Sequence, residues 1–381
     1  MSLLKALLIL LKSRKNDLKV MFKTIIEHKI NLIYFKFMNI VTFGEIMMRF
    51  STNNNNRLIQ SKSLELSFAG SEANVAIDLA YWGMKTRFIT ALPENDLGDM
   101  VIRDLKQNNV DTNFILRNES NRLGLFFLEH GANQRNSKII YDRKDSSFSI
   151  QKFDEQFFSS ALKDCNWFHW SGITSGLNMN SINNLETGLK IANENNLTIS
   201  CDLNYRAKLW DFGIDPNAIM PKILTSSRII IGNEEDAFKM LNVQEIEKKY
   251  FNKEPTINLY KEACIAIFEV LPNCEIICFS LRKSISANHN NWSAILATRN
   301  DFFESTTYEI KNIVDRVGAG DTFSAGIIYG LNNFPNDLKK TLEFATAASC
   351  LKHSINGDYC IAKQHEIEQL LNGNNSGRII R

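Results

Sequence analysis

The most informative stretch of this sequence runs Asp315-Arg316-Val317-Gly318-Ala319-Gly320-Asp321-Thr322-Phe323-Ser324-Ala325-Gly326. It has the character of a strand end, a glycine bend and a helix start, and residues 315–320 are called the glycine turn below. Glycines let successive backbone N–H groups point into one concavity, and the following helix adds the positive end of its dipole. The turn is therefore predicted to bind an anion. We expect Asp321 beside it to stay ionised, because N–H dipoles favour a charged carboxylate.

A carboxylate next to an anion hole suits phosphoryl transfer, in which positioning and charge neutralisation supply most of the catalysis. Asp321 is the candidate catalytic base that accepts the proton of an attacking hydroxyl. The backbone N–H groups of Gly318, Ala319, Gly320 and Asp321 would neutralise charge on the transferred group. A glycine turn whose aspartate only caps a helix is the structural alternative. The full twelve-residue context favours the catalytic interpretation.

The composition is that of an ordinary globular protein, with 381 residues, 44% of them hydrophobic and 23% charged. The net charge of +2 is uneven along the chain. Residues 1–37 carry eight Lys or Arg against Asp17 and Glu27, which is +6, and the remainder is therefore −4. The main body is thus not expected to bind nucleic acid. No stretch reaches the roughly 18 apolar residues that a membrane-spanning helix needs.

The first 37 residues require a separate interpretation. Leu3 to Leu11 is apolar around Lys5 and is followed by basic residues, the reverse of the order found in a signal peptide. One interpretation is a basic amphipathic membrane anchor. The favoured one is a dispensable extension or an overlong start, since Met38 directly precedes the apparent first strand.

Seven cysteines are scattered without a C-x-x-C pair or a zinc-ligand spacing. We interpret them as buried thiols in a reducing cytoplasm, which predicts a cytoplasmic protein.

From Met38 onward, short β-branched runs alternate with helical patterns, which predicts a mostly parallel sheet covered by helices. A helix is predicted over Ser71–Gly83, with Ser71 as its cap and Gly83 as its end, and another over Ala347–Lys352. Residues 47–68 and 120–143 break the alternation and are predicted to form a small separate sheet. The predicted central strands are Ile40–Phe43, Thr86–Ala91, Trp167–Trp170, Thr198–Asp202, Arg228–Ile231 and Ile276–Ser280.

The pattern D-x-V-G-A-G-D-x-F-x-A-G resembles the C-terminal signature of the ribokinase-like carbohydrate kinases, the PfkB family. The likeness covers nearly everything from Met38 on. Within that family the chain is most similar to the kinases of 2-keto-3-deoxygluconate, also called 2-dehydro-3-deoxygluconate. The stretches that carry this likeness are Gly44–Arg49, Gly70–Ala76, Ile140–Arg143 and, most specifically, Cys201–Trp210.

The resemblance implies a Rossmann-like three-layer α/β/α domain over residues 38–381 with a small β-sheet lid that closes over a sugar. It also implies a homodimer or higher homo-oligomer assembled through the lid. The implied sugar-binding residues are Gly70, Asn74, Tyr141, Arg143 and Arg206. An acid sugar makes chemical sense of the two arginines, because a guanidinium can meet a carboxylate with two parallel hydrogen bonds.

The resemblance further implies ATP and Mg²⁺ as cofactors. Asn233-Glu234-Glu235-Asp236 falls where the family has an N-x-x-E pattern that organises magnesium and phosphate through water, so no direct protein ligand to the metal is expected. Asp236 replaces the family's glutamate, and a shorter carboxylate can still act through water.

A second departure from the family follows the strand Ile276–Ser280, where Leu281–Asn288 contains no glycine. Arg282 or Lys283 either reaches the ATP phosphates or lies on the ordinary surface. The purine pocket is expected to be completed near Ala347–His353.

The leading hypothesis is therefore ATP-dependent phosphorylation of 2-keto-3-deoxygluconate at its terminal hydroxyl. The alternatives are the same chemistry on fructose or ribose, and a non-catalytic sugar-binding protein of the same fold. A nicotinamide dehydrogenase is disfavoured because Gly44-Glu45-Ile46-Met47, after the first strand, lacks the glycine fingerprint that cradles a pyrophosphate.

Overall fold

The structure is a computed structural model that describes residues 39–243 and 256–373. The predicted extension, residues 1–37, lies outside the described residues, so neither interpretation of it is tested.

The strands, in chain order, are β1 (Asn39–Phe43), β2 (Met47–Thr52), β3 (Leu64–Ala69), β4 (Lys85–Pro93), β5 (Val110–Asp111), β6 (Ile115–Asn118), β7 (Leu125–Glu129), β8 (Lys138–Asp142), β9 (Trp167–Ser171), β10 (Thr198–Asp202), β11 (Ile229–Gly232), β12 (Ile276–Ser286), β13 (His289–Ala297), β14 (Phe302–Glu304) and β15 (Tyr308–Lys311). The helices are α1 (Ser71–Tyr81), α2 (Asp96–Gln107), α3 (Ser147–Ile150), α4 (Glu155–Ala161), α5 (Gly172–Ser175), α6 (Met179–Glu194), α7 (Pro216–Leu224), α8 (Glu234–Met240), α9 (Ile257–Val270), α10 (Ala319–Asn333), α11 (Leu338–Lys352) and α12 (Gln364–Leu371).

Within the described residues, the large sheet has eleven strands in the order β14-β13-β12-β11-β10-β9-β1-β4-β5, with β15 beside β13 and β6 beside β4. The six predicted central strands are all present and pair in parallel with one another. The last of them, β12, continues six residues beyond its predicted end at Ser280 and forms an antiparallel hairpin with β13. The parallel part was visible in the sequence because strands buried on both faces are almost uniformly apolar.

Two hydrophobic cores lie on opposite faces of this sheet. On one face, Phe43 and Trp170 of the sheet pack with Phe158, Leu185 and other residues of α4, α6, α7 and α9. On the other face, residues of α1, α10, α11 and α12 cover Ile40 and the neighbouring strands. This arrangement confirms the predicted three-layer α/β/α architecture.

Helix α1 confirms the predicted helix and corrects its cap. The helix ends at Tyr81, and Gly83 follows with a φ of +84°, a left-handed conformation that glycine adopts without strain. Gly70 occupies the N-cap position, so the prediction that Ser71 caps the helix is wrong. Ser71 is the first helical residue, and its hydroxyl donates instead to Asp321.

A separate four-stranded sheet, in the order β3-β2-β7-β8, is built from the two regions that broke the alternation. We call these four strands the lid. Strands β2 and β3 pair antiparallel, β2 and β7 parallel, and β7 and β8 antiparallel. Met47, Ala69, Phe126 and Leu128 form a small apolar cluster within it.

The last glycine of the signature serves the packing of two helices. A Cβ atom added to Gly326 of α10 would lie 2.5 Å from the Cα atom of Ala345 in α11. The two helices therefore approach closely only because this residue has no side chain, which fixes the direction in which α10 leaves the glycine turn.

All seven cysteines lie within the described residues and are free thiols, five of them buried and Cys165 and Cys350 half-buried. In the described part of the chain, none of the helices combines the length and apolar character needed to traverse a bilayer.

Candidate active site

A cavity of about 500 Å³ lies where the carboxyl ends of the parallel strands, the inner face of the lid and the glycine turn meet. Such a volume accommodates a small-molecule ligand. The predicted site residues on its wall are Gly70, Asn74, Tyr141, Arg206, Asn233, Asp236, Arg282, Gly318, Ala319, Gly320 and Asp321.

The shape of the glycine turn depends on Gly318. Its φ is +82°, and a Cβ atom there would lie 1.6 Å from the carbonyl oxygen of Asp358, so both the conformation and the space exclude a side chain. Helix α10 starts at the next residue, Ala319, whose N–H donates to the Arg316 carbonyl at 3.4 Å. Among the described residues, the backbone N–H groups of Gly320 and Asp321 have no such partner. A Cβ atom on Gly320 would meet nothing within 4 Å. The turn can therefore present free N–H groups to an anion in the cavity.

Asp321 is held by hydrogen bonds from helix α1. Its side chain accepts from the Ser71 hydroxyl and from the Asn74 side-chain amide, each at 2.7 Å. Asn204, which follows β10, donates to the Ser71 hydroxyl at 2.9 Å. Asn74, expected only at the sugar site, thus also orients the carboxylate of Asp321.

The electrostatic expectation for Asp321 needs correction. We expected N–H dipoles to dominate and to favour its charged form, but burial has the largest effect and raises its pKa above the usual aspartate range. The hydrogen bonds from Asn74 and Ser71 and the positive charges of Arg206 and Lys352 act in the opposite direction. The carboxylate is therefore more basic than an exposed aspartate.

Arg206 lies exposed at the cavity wall. Its Nη1 donates to the backbone carbonyl of Tyr205 at 2.9 Å. Across residues 39–243 and 256–373, no carboxylate forms an ion pair with it. Burial raises the pKa of Asp202, Asp236 and Asp321, and the positive charge of Arg206 opposes this rise at each of them. The guanidinium is therefore close to the acidic centre and available to an anionic ligand.

Arg143 is predicted at the sugar site, but the structure does not bring it to the cavity wall. Its guanidinium is engaged by the buried carboxylate of Glu45, with Nε 2.8 Å from Oε2. Its guanidinium carbon lies 5.8 Å from the ring centroid of Tyr141, which does line the cavity. In this conformation Arg143 supports the lid and does not face a ligand.

Asn233 and Asp236 bond to each other at the start of helix α8. The Asn233 side chain accepts from the backbone N–H of Asp236 and donates to its carboxylate, both at 2.9 Å. Burial raises the pKa of Asp236 to about 6. Asn233 thus caps the helix, and both residues also face the cavity.

Cationic and aromatic side chains line another part of the cavity. Arg282 and Arg316 are on its wall together with Trp292 and His353, whose rings lie 5.1 Å apart. Of the predicted purine segment Ala347–His353, only His353 lines the cavity, and Lys283 does not.

Sequence reasoning missed several residues of the cavity. Asp202 and Asn204 lie in the quoted block Cys201–Trp210, directly after a predicted strand, and that position was a signal for both. Trp292 and Asp358 carried none, because tertiary contacts alone bring them to the site.

Glu72 lies beneath the cavity and is fully buried. Its Oε1 accepts from the hydroxyl and the backbone N–H of Ser171, at 2.7 and 3.1 Å, and from the hydroxyl of Thr174 at 2.9 Å. Its Oε2 has no hydrogen-bond partner among the described residues. Burial raises its pKa to about 7.

A hydroxyl that lies between Asp321 and an anion on the glycine turn can lose its proton to the first while it attacks the second. The three-layer fold, its lid and this arrangement define a phosphotransferase of the ribokinase-like class.

Comparison with known proteins assigns the family. The chain matches the pfkB family carbohydrate kinases over residues 38–264 and 292–360. It is 40% identical to the 2-dehydro-3-deoxygluconokinase of Thermotoga maritima, a solved structure with a TM-score of 0.82 that covers 88% of this chain and 100% of its own. It is 26% identical to the 2-dehydro-3-deoxygalactonokinase of Haloferax volcanii, over 89% of this chain and 98% of that protein.

The fold is also shared with a putative ribokinase II of E. coli, solved in complex with ATP and Mg²⁺, at 19% identity and a TM-score of 0.70 over 88% of this chain and 99% of that one. The chain therefore belongs to the pfkB family of carbohydrate kinases, phosphotransferases that act on a sugar hydroxyl.

We predict that Glu72→Gln changes the pH dependence of stability. A buried carboxyl whose folded pKa is raised to about 7 stabilises the fold fully below its unfolded pKa near 4.5, and this contribution is lost as the pH rises through 7. The change across that window is on the order of 3 kcal/mol. Urea unfolding from pH 5 to pH 8 should therefore show Glu72→Gln gaining stability relative to wild type as the pH rises. The exposed Glu119→Gln is the control. A difference in the free energy of unfolding between Glu72→Gln and wild type that does not change with pH contradicts this prediction.

Proposed function

We propose that this protein transfers the γ-phosphoryl group of ATP to the terminal hydroxyl of 2-keto-3-deoxygluconate, giving 2-keto-3-deoxy-6-phosphogluconate in the cytoplasm. One observation carries the proposal: a single cavity holds the glycine turn beside Asp321 and, near the same carboxylate, the exposed Arg206, which has no ion-pair partner in the part of the chain that the structure describes. The glycine turn and Asp321 suit phosphoryl transfer, and Arg206 suits the carboxylate of an acid sugar.

Asp321 acts as the catalytic base. Ser71 and Asn74 hold its carboxylate, each by one hydrogen bond of 2.7 Å, so its orientation does not have to be established in each turnover. Its raised pKa makes it a better proton acceptor than an exposed aspartate. The proton of the sugar hydroxyl moves to Asp321 as the sugar oxygen bonds to the γ-phosphorus and the bond from that phosphorus to the bridging oxygen breaks, which releases ADP. The free N–H groups of the glycine turn neutralise charge on the transferred group.

The nucleotide lies along the cationic and aromatic part of the cavity. Arg282, Gly318 and Gly320 contact its phosphates, and Trp292 with His353 lies on the same wall. The open space at Gly320 supports this, because the place of a side chain is left to the ligand.

The described residues fit magnesium that is bound mainly through the nucleotide. Asn233 and Asp236 face the cavity and would hold the hydrated ion through water. When bound, Mg²⁺ supplies charge neutralisation at the phosphates.

The sugar lies between the lid and helix α1. Gly70, Asn74 and Tyr141 line this side of the cavity, and Arg206 meets the sugar's carboxylate from the large domain. Arg143 would join them only by leaving Glu45 when the lid closes. The relatives named above act, by their names, on gluconate and galactonate forms of this sugar acid, which supports the substrate class and leaves the choice between epimers to experiment.

We infer further that two copies of the chain associate through the outer face of the lid. Leu66, Phe50, Phe127 and Ile140 are in register across its four strands and form one apolar row. Leu66 and Ile140 are each 44% exposed. Phe50 and Phe127 between them are half-buried. A continuous and partly exposed apolar row of this kind favours a protein partner, and a second copy of the same face satisfies the symmetry of a homodimer.

The base role predicts that Asp321→Asn lowers kcat by about 10²- to 10⁴-fold with substrate binding largely kept, because the amide cannot accept the proton. A coupled phosphorylation assay measures it, with 2-keto-3-deoxygluconate, its galactonate epimer, fructose and ribose as the panel and the exposed Asp301→Asn as control. In the wild type, burial raises the pKa of Asp321, so activity should fall as the pH drops through a value above the usual aspartate range. Near-normal turnover of Asp321→Asn removes it from the base role.

The acid-sugar assignment predicts that Arg206→Ala raises KM for 2-keto-3-deoxygluconate by about 10- to 100-fold, the size of one charge-assisted interaction. Arg206→Lys keeps the charge but not the paired donors, so its KM should lie between those of wild type and Arg206→Ala. Steady-state kinetics on the acid sugar and on fructose distinguish a contact with the carboxylate from a general effect on sugar binding. An equal loss with the neutral sugar contradicts the proposed contact.

The oligomer proposal predicts that Ile140→Asp separates the subunits, because a carboxylate is costly to bury in an apolar contact. Light scattering during gel filtration should give twice the chain mass of 43.6 kDa for wild type and a single chain mass for the variant. The matched control is Ile265→Asp, at an isoleucine that is 60% exposed on helix α9. A wild type of single mass, or a variant that stays dimeric, contradicts the proposal.

A further inference from the structure

A buried charge cluster joins the lid to the glycine turn. Arg49 of strand β2 is 1% exposed. Its Nη2 lies 2.5 Å from Asp315 Oδ2, its Nη1 lies 2.6 Å from Asp358 Oδ2, and its Nε donates to the Ser51 hydroxyl at 2.6 Å. The cluster is completed by Lys352, which is fully buried. We call Arg49, Asp315, Lys352 and Asp358 the charge cluster.

Each carboxylate of the cluster belongs to a segment that shapes the turn. Asp315 is the first residue of the turn, and its Oδ1 accepts the backbone N–H of Val317 at 3.0 Å. The backbone carbonyl of Asp358 presses against Gly318, at the place where a Cβ atom would be. Arg49 therefore binds the turn at its first residue, Asp315. It also binds Asp358, whose backbone carbonyl lies against the left-handed residue Gly318.

Lys352 fixes the backbone of the same segments. Its Nζ donates to the carbonyl of Asp315 at 3.3 Å and to that of Ile355 at 3.2 Å. Burial lowers the pKa of Lys352, and the charges of Asp315, Asp358 and Asp78 oppose this. Two cations thus face the carboxylates of Asp315 and Asp358 out of contact with water.

Stability alone does not account for this cluster. Enclosing ions costs a large desolvation free energy, and well-packed apolar side chains of similar size often serve a fold equally well. What a guanidinium adds is geometry, because its planar fork fixes two carboxylates at a set distance and angle. Arg49 is not among the residues that line the cavity, so any effect on a ligand must pass through the groups that Arg49 holds, namely the turn, Asp358 and strand β2.

We propose that Arg49 is a positioning residue that sets the phosphate-binding geometry of the glycine turn from the lid. Through Asp315 and Asp358 it holds the N–H groups of residues 318–321 where the phosphoryl group is bound, and it ties the lid strand to them. This inference rests on the proposed function. It identifies Arg49 as the residue that positions the nucleotide-binding part of the cavity.

The test compares Arg49→Met, Arg49→Lys and wild type, with Arg228→Met as matched control. Arg228 also pairs with a carboxylate, Glu275, but both side chains are half exposed at 53% and 54% and neither lines the cavity. Calorimetry measures the affinity for the β,γ-imido analogue of ATP without sugar. Kinetics measures KM for ATP and for the sugar separately, and thermal unfolding shows that each variant is folded.

We expect Arg49→Met to weaken analogue binding and to raise KM for ATP, each by about 10-fold. We also expect kcat to fall by up to about 100-fold, because small displacements of a binding group cost that much in rate. The sugar KM should stay within about twofold. Arg49→Lys keeps the charge without the fork and should show a partial loss, which carries the test if Arg49→Met does not fold. Arg228→Met should match wild type.

Two results overturn the inference. The first is that the folded Arg49 variants bind the analogue and ATP as wild type does, so that only thermal stability changes. The second is that the loss falls on the sugar KM alone. A wild type that binds no analogue overturns the proposed function as well. A wild type that binds it while folded Arg49 variants are unaltered overturns the positioning role alone.

Discussion

Two hydrogen bonds to one buried carboxylate connect the halves of this site. Ser71 and Asn74 at the start of helix α1 both donate to Asp321 at the start of helix α10, although about 250 residues of sequence separate them. The contact is available only because Gly318 adopts a left-handed conformation against the Asp358 carbonyl and turns the chain into α10. The cavity wall, the anion-binding N–H groups and the proposed base all take their places from that turn.

Buried carboxylates at the site support the proposed proton transfer, and burying their charge costs free energy. Glu72, Asp202 and Asp321 are buried at or near the cavity, and burial raises the pKa of each. Buried carboxylates are retained where they do chemistry or orient groups that do. Arg206 and Lys352 offset part of this penalty at Asp321. The proposed ligands, a metal-bound nucleotide and an acid sugar, would bring further charges into the same space.

The sequence carried most of the fold and part of the site. Parallel strands such as Thr198–Asp202 were visible as apolar runs, and the glycine turn was visible because anion-binding backbone needs glycine at fixed positions. The extension of β12 was hidden, since its exposed hairpin half is polar. The partner of Arg143 was also hidden, because Glu45 lies 98 residues away in sequence. Burial of Asp321 by helix α1 was a tertiary effect too, which is why its pKa direction was misjudged.

The most direct test is a crystal structure of the protein with ADP, 2-keto-3-deoxygluconate and aluminium fluoride. The aluminium fluoride mimics the phosphoryl group during transfer. The account predicts the fluoride within hydrogen-bond distance of the N–H groups of Gly320 and Asp321. It also predicts the terminal hydroxyl of the sugar about 3 Å from the Asp321 carboxylate. A phosphoryl mimic bound away from the glycine turn, or a hydroxyl directed to another residue, would contradict it.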